Sequence, residues 1–391
     1  MTPSFFLERL RARTPDMLTL LEALVQQDSG SHDIAGVNAV GARLAQEWRA
    51  LGFIEERRAV PGRGDLRLLR RLFPGRGRLL ILGHLDTVWP AGTAATWGFA
   101  QDGHHAHGPG VGDMKGGLVM ALFALRELLA AGFEGLAEVA CLLVPDEELG
   151  SVGSRAHIER EAARSDWVLV LEPARPGGGV IVGRGAVGAL IVEARGQAAH
   201  AAVNPEAGRS ALKALAALVA PMEALTDLAA GTVVTVGILR AGSARQVVPD
   251  HAEMHVDLRS AHAAGATRLM TAIAAILDQG RHDGIRLTTT GGFTRPAFPR
   301  AAGDALYEIY AQGAATLGVG APALTTSGGS DGSFAAALGR PTLDGLGPVC
   351  TDTCSPREHI AIASLAERGA LFAALVARLP DIRPVSRSAP R

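Results

Sequence analysis

Cysteine, tyrosine, lysine, an excess of either charge and long apolar runs are all scarce in this 391-residue chain. Three cysteines, Cys141, Cys350 and Cys354, do not make a disulfide framework, which favours a reducing compartment. The opening Met1-Thr2-Pro3-Ser4-Phe5-Phe6-Leu7-Glu8-Arg9 holds only a short apolar patch, and no run is long enough for a secretory core or a membrane span. Cytoplasm is therefore the expected location, with no membrane partner. Thirty-eight basic residues against 39 acidic ones leave a net charge of −1, so the basic footprint of a nucleic-acid binder is missing. Arginine greatly outnumbers lysine, and alanine and glycine are abundant, a composition with no functional content of its own. What is present is a hydrophobic fraction of 48%, enough at this length for a large core and two domains.

The most informative stretch is Gly83-His84-Leu85-Asp86-Thr87, which follows the apolar run Leu79 to Leu82. That run reads as a buried strand, and side chains two apart on an extended segment face the same way, so His84 and Asp86 point together. On its own, His-x-Asp reads first as a solvated turn. Further acidic positions follow: Asp113 in Gly112-Asp113-Met114-Lys115-Gly116-Gly117, Glu147 and Glu148 after the strand-like run Val139 to Val144, and Glu172 after Trp167 to Leu171. A helical run covers Lys115 to Ala131. In a wound α/β sheet, sites form outside the carboxyl ends of the strands, so these groups converge on one edge. Oxygen ligands with a minority of nitrogen suit two zinc ions sharing one carboxylate, and such a site is hydrolytic by default.

These motifs resemble, along nearly the whole chain, the co-catalytic zinc peptidases and amidohydrolases that include glutamate carboxypeptidases, aminoacylases and allantoate amidohydrolase. The resemblance implies that His84 binds one zinc, Asp113 bridges two, Glu148 holds the second and Glu172 the first. Asp86 then orients His84 and Glu147 is the general base. Where the family has a final ligand histidine, this chain has Cys354, in Thr351-Asp352-Thr353-Cys354-Ser355-Pro356-Arg357-Glu358. Cys354 is either a thiolate ligand or a small loop residue beside a weak or absent second zinc; it could also pair with Cys350 under oxidation. His359 is a less favoured substitute, because it falls inside what reads as the next helix. The cluster Asp102-Gly103-His104-His105-Ala106-His107 reads as a solvated hairpin before the Asp113 loop.

Glycine density rises at Gly177-Gly178-Gly179 and again from Gly183 to Gly188, marking a boundary. Strands at Ala189 to Ala194, Thr232 to Leu239, Glu253 to Leu258 and Ile285 to Thr290 alternate with helices at Pro205 to Leu225 and Ala264 to Leu277. This β-α-β-β-α-β order predicts an antiparallel sheet covered on one face by two helices. The expected fold is α/β, a wound mixed-sheet zinc-peptidase domain in two segments, 1–184 and 295–391, interrupted at 185–294 by an inserted α+β, ferredoxin-like domain. By resemblance the insert is a lid and dimerisation domain, so a homodimer is expected. It also implies that His200, in Gly196-Gln197-Ala198-Ala199-His200, steadies the oxyanion from the partner chain. Arg259 and Arg295 match arginines that hold the substrate carboxylate. Gln246, in Gln246-Val247-Val248-Pro249, stands where the family commonly has asparagine. The amides of Gly328 and Gly329, before the helical run Ser333 to Leu338, could receive a carboxylate or oxyanion.

The function expected is that of a binuclear zinc hydrolase, with two zinc ions per chain, cleaving an amide of an N-acyl amino acid or small peptide with a free carboxylate. Carboxypeptidase-like and deacylase-like selection both stay open. An alternative is a relative with altered or lost hydrolysis that binds an amino-acid-like ligand, motivated by Cys354 and Gln246. The retention of Glu147 argues against that alternative.

Overall fold

The computed structural model describes residues 1–280 and 284–382. They form two compact units, one of Met1–Gly183, Pro299–Thr325 and the chain from Ser330 on, the other of Arg184–Phe298 with Thr326–Gly329. The short loop 326–329, placed by chain order in the last catalytic segment, thus packs with the insert.

In the first unit, a six-stranded sheet runs in the spatial order Ile54–Ala59, Asp65–Leu72, Glu138–Val144, Arg78–His84, Trp167–Val170, Thr342–Leu343. The first three strands pair antiparallel and the rest parallel, which makes the sheet mixed. Its central strands are apolar at nearly every position because each face meets helices. Leu79 and Ile81 point into one core with helices Pro3–Val25, Gly117–Ala130 and Ile362–Arg378, while Leu80 and Leu82 point into another with Arg155–Arg164 and Gly332–Ala337. Each fully buried leucine contributes roughly 1.5–3 kcal/mol. The parallel pairing also sends the ends of Arg78–His84, Glu138–Val144 and Trp167–Val170 out on one edge, where the acidic motifs follow.

A second, small sheet in this unit has the order Cys350–Thr351, His359–Ala361, His105–His107, Ala100–Gln101. His359 therefore lies on a strand, not inside a helix; the helix begins three residues later, at Ile362. The helix expected from Lys115 also starts late, at Gly117, because Asp113 and Met114 leave helical geometry, Asp113 at φ −109° and ψ 91°.

The second unit has a four-stranded antiparallel sheet in the order Thr232–Ala241, His251–Ser260, Ala186–Arg195, Arg286–Arg295. Helices Ala211–Glu223 and Ala263–Gln279 pack on it through Leu215, Leu218, Leu269 and Ile273 against Val192, Met254 and Leu258. The first of these helices starts six residues later than its periodicity suggests. Ser210 caps it by accepting from the Lys213 amide, leaving Pro205–Ala207 as a separate turn. No described helix is long and apolar enough to cross a membrane.

Candidate metal centre

His84 is the last residue of its strand, and Glu147–Leu149 is a single turn beginning three residues beyond Glu138–Val144. Glu172 follows Trp167–Val170 by two. Asp113 enters from the loop before Gly117–Ala130 and Cys354 from the loop after Cys350–Thr351. Two donor triads result: His84, Asp113 and Glu172, and Asp113, Glu148 and Cys354, with one ligand atom from each residue lying within 4.8 Å of the others in its triad. Asp113 belongs to both. Its Oδ1 is 3.2 Å from Nε2 of His84, and its Oδ2 is 3.5 Å from Sγ of Cys354.

The charge balance is lopsided. Burial, then the charge of Asp113, pushes the Glu148 carboxyl up to about 9, and the same two causes raise Glu172 well above the carboxylate range. The Cys354 thiol is pushed up by burial and by Asp113. Burial alone would lower the His84 imidazole, but its hydrogen bond to Asp113 and the charges of Glu147 and Glu172 raise it. A set of crowded, half-buried carboxylates beside an exposed thiol, which cannot all ionise together, is a set in need of cations. Nitrogen, carboxylate and thiolate donors in two groups of three fit zinc, with room left for water or substrate.

Asp86 has a different set of contacts from the one its motif suggests. Nδ1 of His84 is 2.8 Å from the main-chain oxygen of Asp86 and 3.6 Å from its carboxylate. The carboxylate, fully buried, accepts instead from the Ser31 hydroxyl at 2.7 Å and from the amides of Glu147 and Glu148 at 3.1 and 3.2 Å. Asp86 thus holds the His84 ring through its backbone and the Glu147–Glu148 turn through its side chain.

Two residues outside the sequence-derived set complete the centre. Glu358 is buried and accepts from the amides of Gly112 and Asp113 at 2.9 and 3.1 Å, and from the amide of Cys354 at 3.2 Å. One carboxylate therefore aligns both loops. Burial and Asp113 raise it to about 7. Its signal in the sequence was its place four residues after Cys354. Lys115 is buried, donates to the Gln27 carbonyl at 3.0 Å, and is lowered by burial to about 8. Beside Glu148 a cleft of about 580 Å³ opens, lined by His32, Asp33, Trp89 and Pro90 among others.

The remaining candidates belong to the second unit. His200 is exposed, and its Nδ1 accepts from the amides of Ala202 and Val203 at 3.2 and 3.3 Å, which leaves the ring proton on Nε2. Val247 lies across from it, and the main-chain carbonyl of the preceding Gln246 accepts from the Ala201 amide at 2.9 Å. Arg259 grips Asp257 on its own strand at 2.8 and 3.0 Å and reaches the Ser327 carbonyl at 3.3 Å. Arg295 is buried against Gly329, where an added Cβ would come within 2.6 Å of its side chain. The Gly328 amide is taken by the Thr326 hydroxyl at 3.2 Å, so the expected anion cradle is partly used by the loop itself. Arg184, unremarked in the sequence, donates to the carbonyls of Gly328 and Gly329 at 3.1 and 3.0 Å.

Comparison with known proteins agrees with this architecture. Residues 80–378 match the family model described as Peptidase family M20/M25/M40. The chain is 31% identical over 373 residues to carboxypeptidase G2 of Pseudomonas sp. (strain RS-16), covering 93% of this chain and 89% of that protein. It is also 31% identical to succinyl-diaminopimelate desuccinylase of Xanthomonas campestris pv. campestris (strain 8004), over 94% of this chain and 99% of that protein. Among solved structures, aminopeptidase PepT from Bacillus cereus shares the fold with a TM-score of 0.78 at 22% identity, over 93% of this chain and 98% of that one. The chain belongs to the M20/M25/M40 peptidase family, whose members are metal-dependent amide-bond hydrolases.

Proposed function

We propose that this chain is a binuclear zinc hydrolase that cleaves the amide bond of an N-acyl amino acid or small peptide bearing a free carboxylate. The observation that carries the reading is Asp113, whose two oxygens face different donor triads. His84, Asp113 and Glu172 would hold one ion, and Asp113, Glu148 and Cys354 the other. Bound there, the pair of cations would lower the pKa of a water between them and polarise the substrate carbonyl.

Glu147 is the base. Its amide is anchored on Asp86, and its carboxylate is near enough to raise the pKa values of His84, Glu148 and Glu172. It takes a proton from the attacking water as the C–O bond forms, then delivers it to the amine as the C–N bond breaks. His200 of the partner subunit donates from Nε2 to the developing oxyanion. Arg259 would exchange its grip on Asp257 for the substrate carboxylate, which suits its planar fork. Supporting roles fall to Arg295, Gln246 and the Gly328–Gly329 loop, which shape the carboxylate side. The cleft at Trp89 has a size suited to the acyl portion of a small substrate. We also propose a homodimer formed through the insert, whose edge strand Thr232–Ala241 exposes Ile238 and Leu239. A cytoplasmic location is in keeping with three unpaired cysteines.

Glu147→Gln tests the proposal. Turnover of an acyl-glutamate or dipeptide should fall by about 100- to 10,000-fold with zinc content unchanged. Undiminished turnover would sink the base assignment, and absence of turnover in the parent across such substrates would favour a ligand-binding relative.

A further inference from the structure

The small sheet of the first unit brings together side chains that the sequence separates by some 250 positions. His359 pairs directly across from His107, and Ala361 across from His105. Residues two apart on a strand share a face, so His105, His107 and His359 stand together on the side away from buried Ala106 and Ile360. Their ring centroids are 5.0 Å apart for His105 and His359, 5.3 Å for His107 and His359, and 6.2 Å for His105 and His107. Asp102, on the hairpin turn, completes the group. Its Oδ1 accepts from the amides of His104 and His105 at 2.9 and 2.7 Å, while its Oδ2 lies 3.4 Å from Nδ1 of His105 and 3.7 Å from Nε2 of His107.

We infer that Asp102, His105, His107 and His359 form a binding site for one divalent transition-metal ion, separate from the candidate metal centre. Three imidazoles bonded at about 2.0–2.1 Å in a tetrahedral set place their centroids roughly 5 Å apart. Two of the three pairs already stand at that spacing, and the third closes by about 1 Å when half-exposed rings turn within their rotamer wells. His359 is already oriented as a ligand, since its Nδ1 lies 2.8 Å from the Arg357 carbonyl, which holds the proton there and leaves the Nε2 lone pair outward. A main-chain carbonyl in that position is the usual support of a ligating histidine. The Asp102 carboxyl lies below the usual range because the His105 and His104 amides hold its anion, so it is available at neutral pH. Three nitrogens and one oxygen select zinc, nickel or cupric ions over magnesium or calcium. A bound ion would clip the hairpin Ala100–His107 to the strand that starts beside Glu358.

Nickel is the probe. Protein brought by desalting to two zinc ions per chain, so that the histidine site starts empty, is dialysed against low-micromolar nickel chloride and both metals are counted by mass spectrometry. The parent is expected to take up one nickel per chain without losing zinc, and its melting temperature to rise. His107→Ala and His359→Ala should each weaken nickel binding by at least about tenfold and abolish the rise, with zinc content and nickel-free hydrolysis unchanged. His255→Ala, on the second unit, should behave as the parent. Equal nickel uptake by His359→Ala and the parent, or none in the parent, would overturn the assignment. His359→Gln, which keeps a polar side chain on the strand, gives the same readout should alanine loosen the sheet.

Discussion

Cys354 and Glu358 show how differently residues of one short loop bear on the same centre. Cys354 contributes a sulfur to the second triad, so Cys354→Ser is expected to leave close to one zinc per chain where two are expected in the parent, measured by mass spectrometry after desalting. Cys354→His should restore the second. Glu358 touches no triad donor side chain, yet it spans both loops through three amides. Glu358→Gln should weaken zinc binding by about 10- to 100-fold in chelator competition while the fold persists. His84, Asp113, Glu148 and Glu172 were legible in the sequence because each adjoins an apolar run in the same sense. Glu358 was not, since two of its three partners are amides some 245 positions away and amides leave no mark on composition; only its place four residues after Cys354 hinted at it. Asp86 was half legible: its spacing from His84 pointed to a shared role, but the backbone carries that bond and the side chain serves the Glu147 turn.

Between elements, backbone proximity matters more than propensity. Helix Gly117–Ala130 begins so close to the end of the strand before Glu172 that a Cβ on Gly117 would lie 2.2 Å from the Leu171 carbonyl oxygen. Gly117→Ala is therefore expected to destabilise the protein by about 1–3 kcal/mol or more in denaturant melts, although alanine favours helices. It should also lower zinc affinity, because Leu171 adjoins Glu172. Periodicity located the central strands and most helices, where alternation and spacing are set by two-sided packing. It failed at His359–Ala361, a strand of three residues abutting a helix, too short for any period to register.

Taken whole, the first unit gathers a cluster of acids whose ionisation opposes folding until cations arrive. Glu148 ionises near 4.5 when unfolded and at about 9 in the metal-free fold, raised by burial and by Asp113. Between those values the folded chain holds a proton that the unfolded chain has released, so stability falls as pH rises across the window. Chelated protein should melt lower at about pH 8 than at about pH 6, and the gain on adding zinc should widen over the same interval. Equal gains at both would mean that cations do not relieve this crowding. Assembly is separately testable: Ile238→Asp or Leu239→Asp on the exposed edge strand should shift sedimentation toward monomer, as expected of a dimer formed there.

Order of synthesis follows from the same architecture. The second unit is nearly continuous in the chain, whereas the first gains Cys354, Glu358 and the helix Ile362–Arg378, which packs on Pro3–Val25, only after the insert has been made. The insert can fold on the ribosome while the segment before it waits with Asp113 and Glu148 but without Cys354, the third donor of the second triad. On the proposed binuclear reading, a second ion can load only after Cys354 has emerged, and a nascent chain stalled before residue 350 should carry a protease-resistant insert inside an otherwise digestible polypeptide.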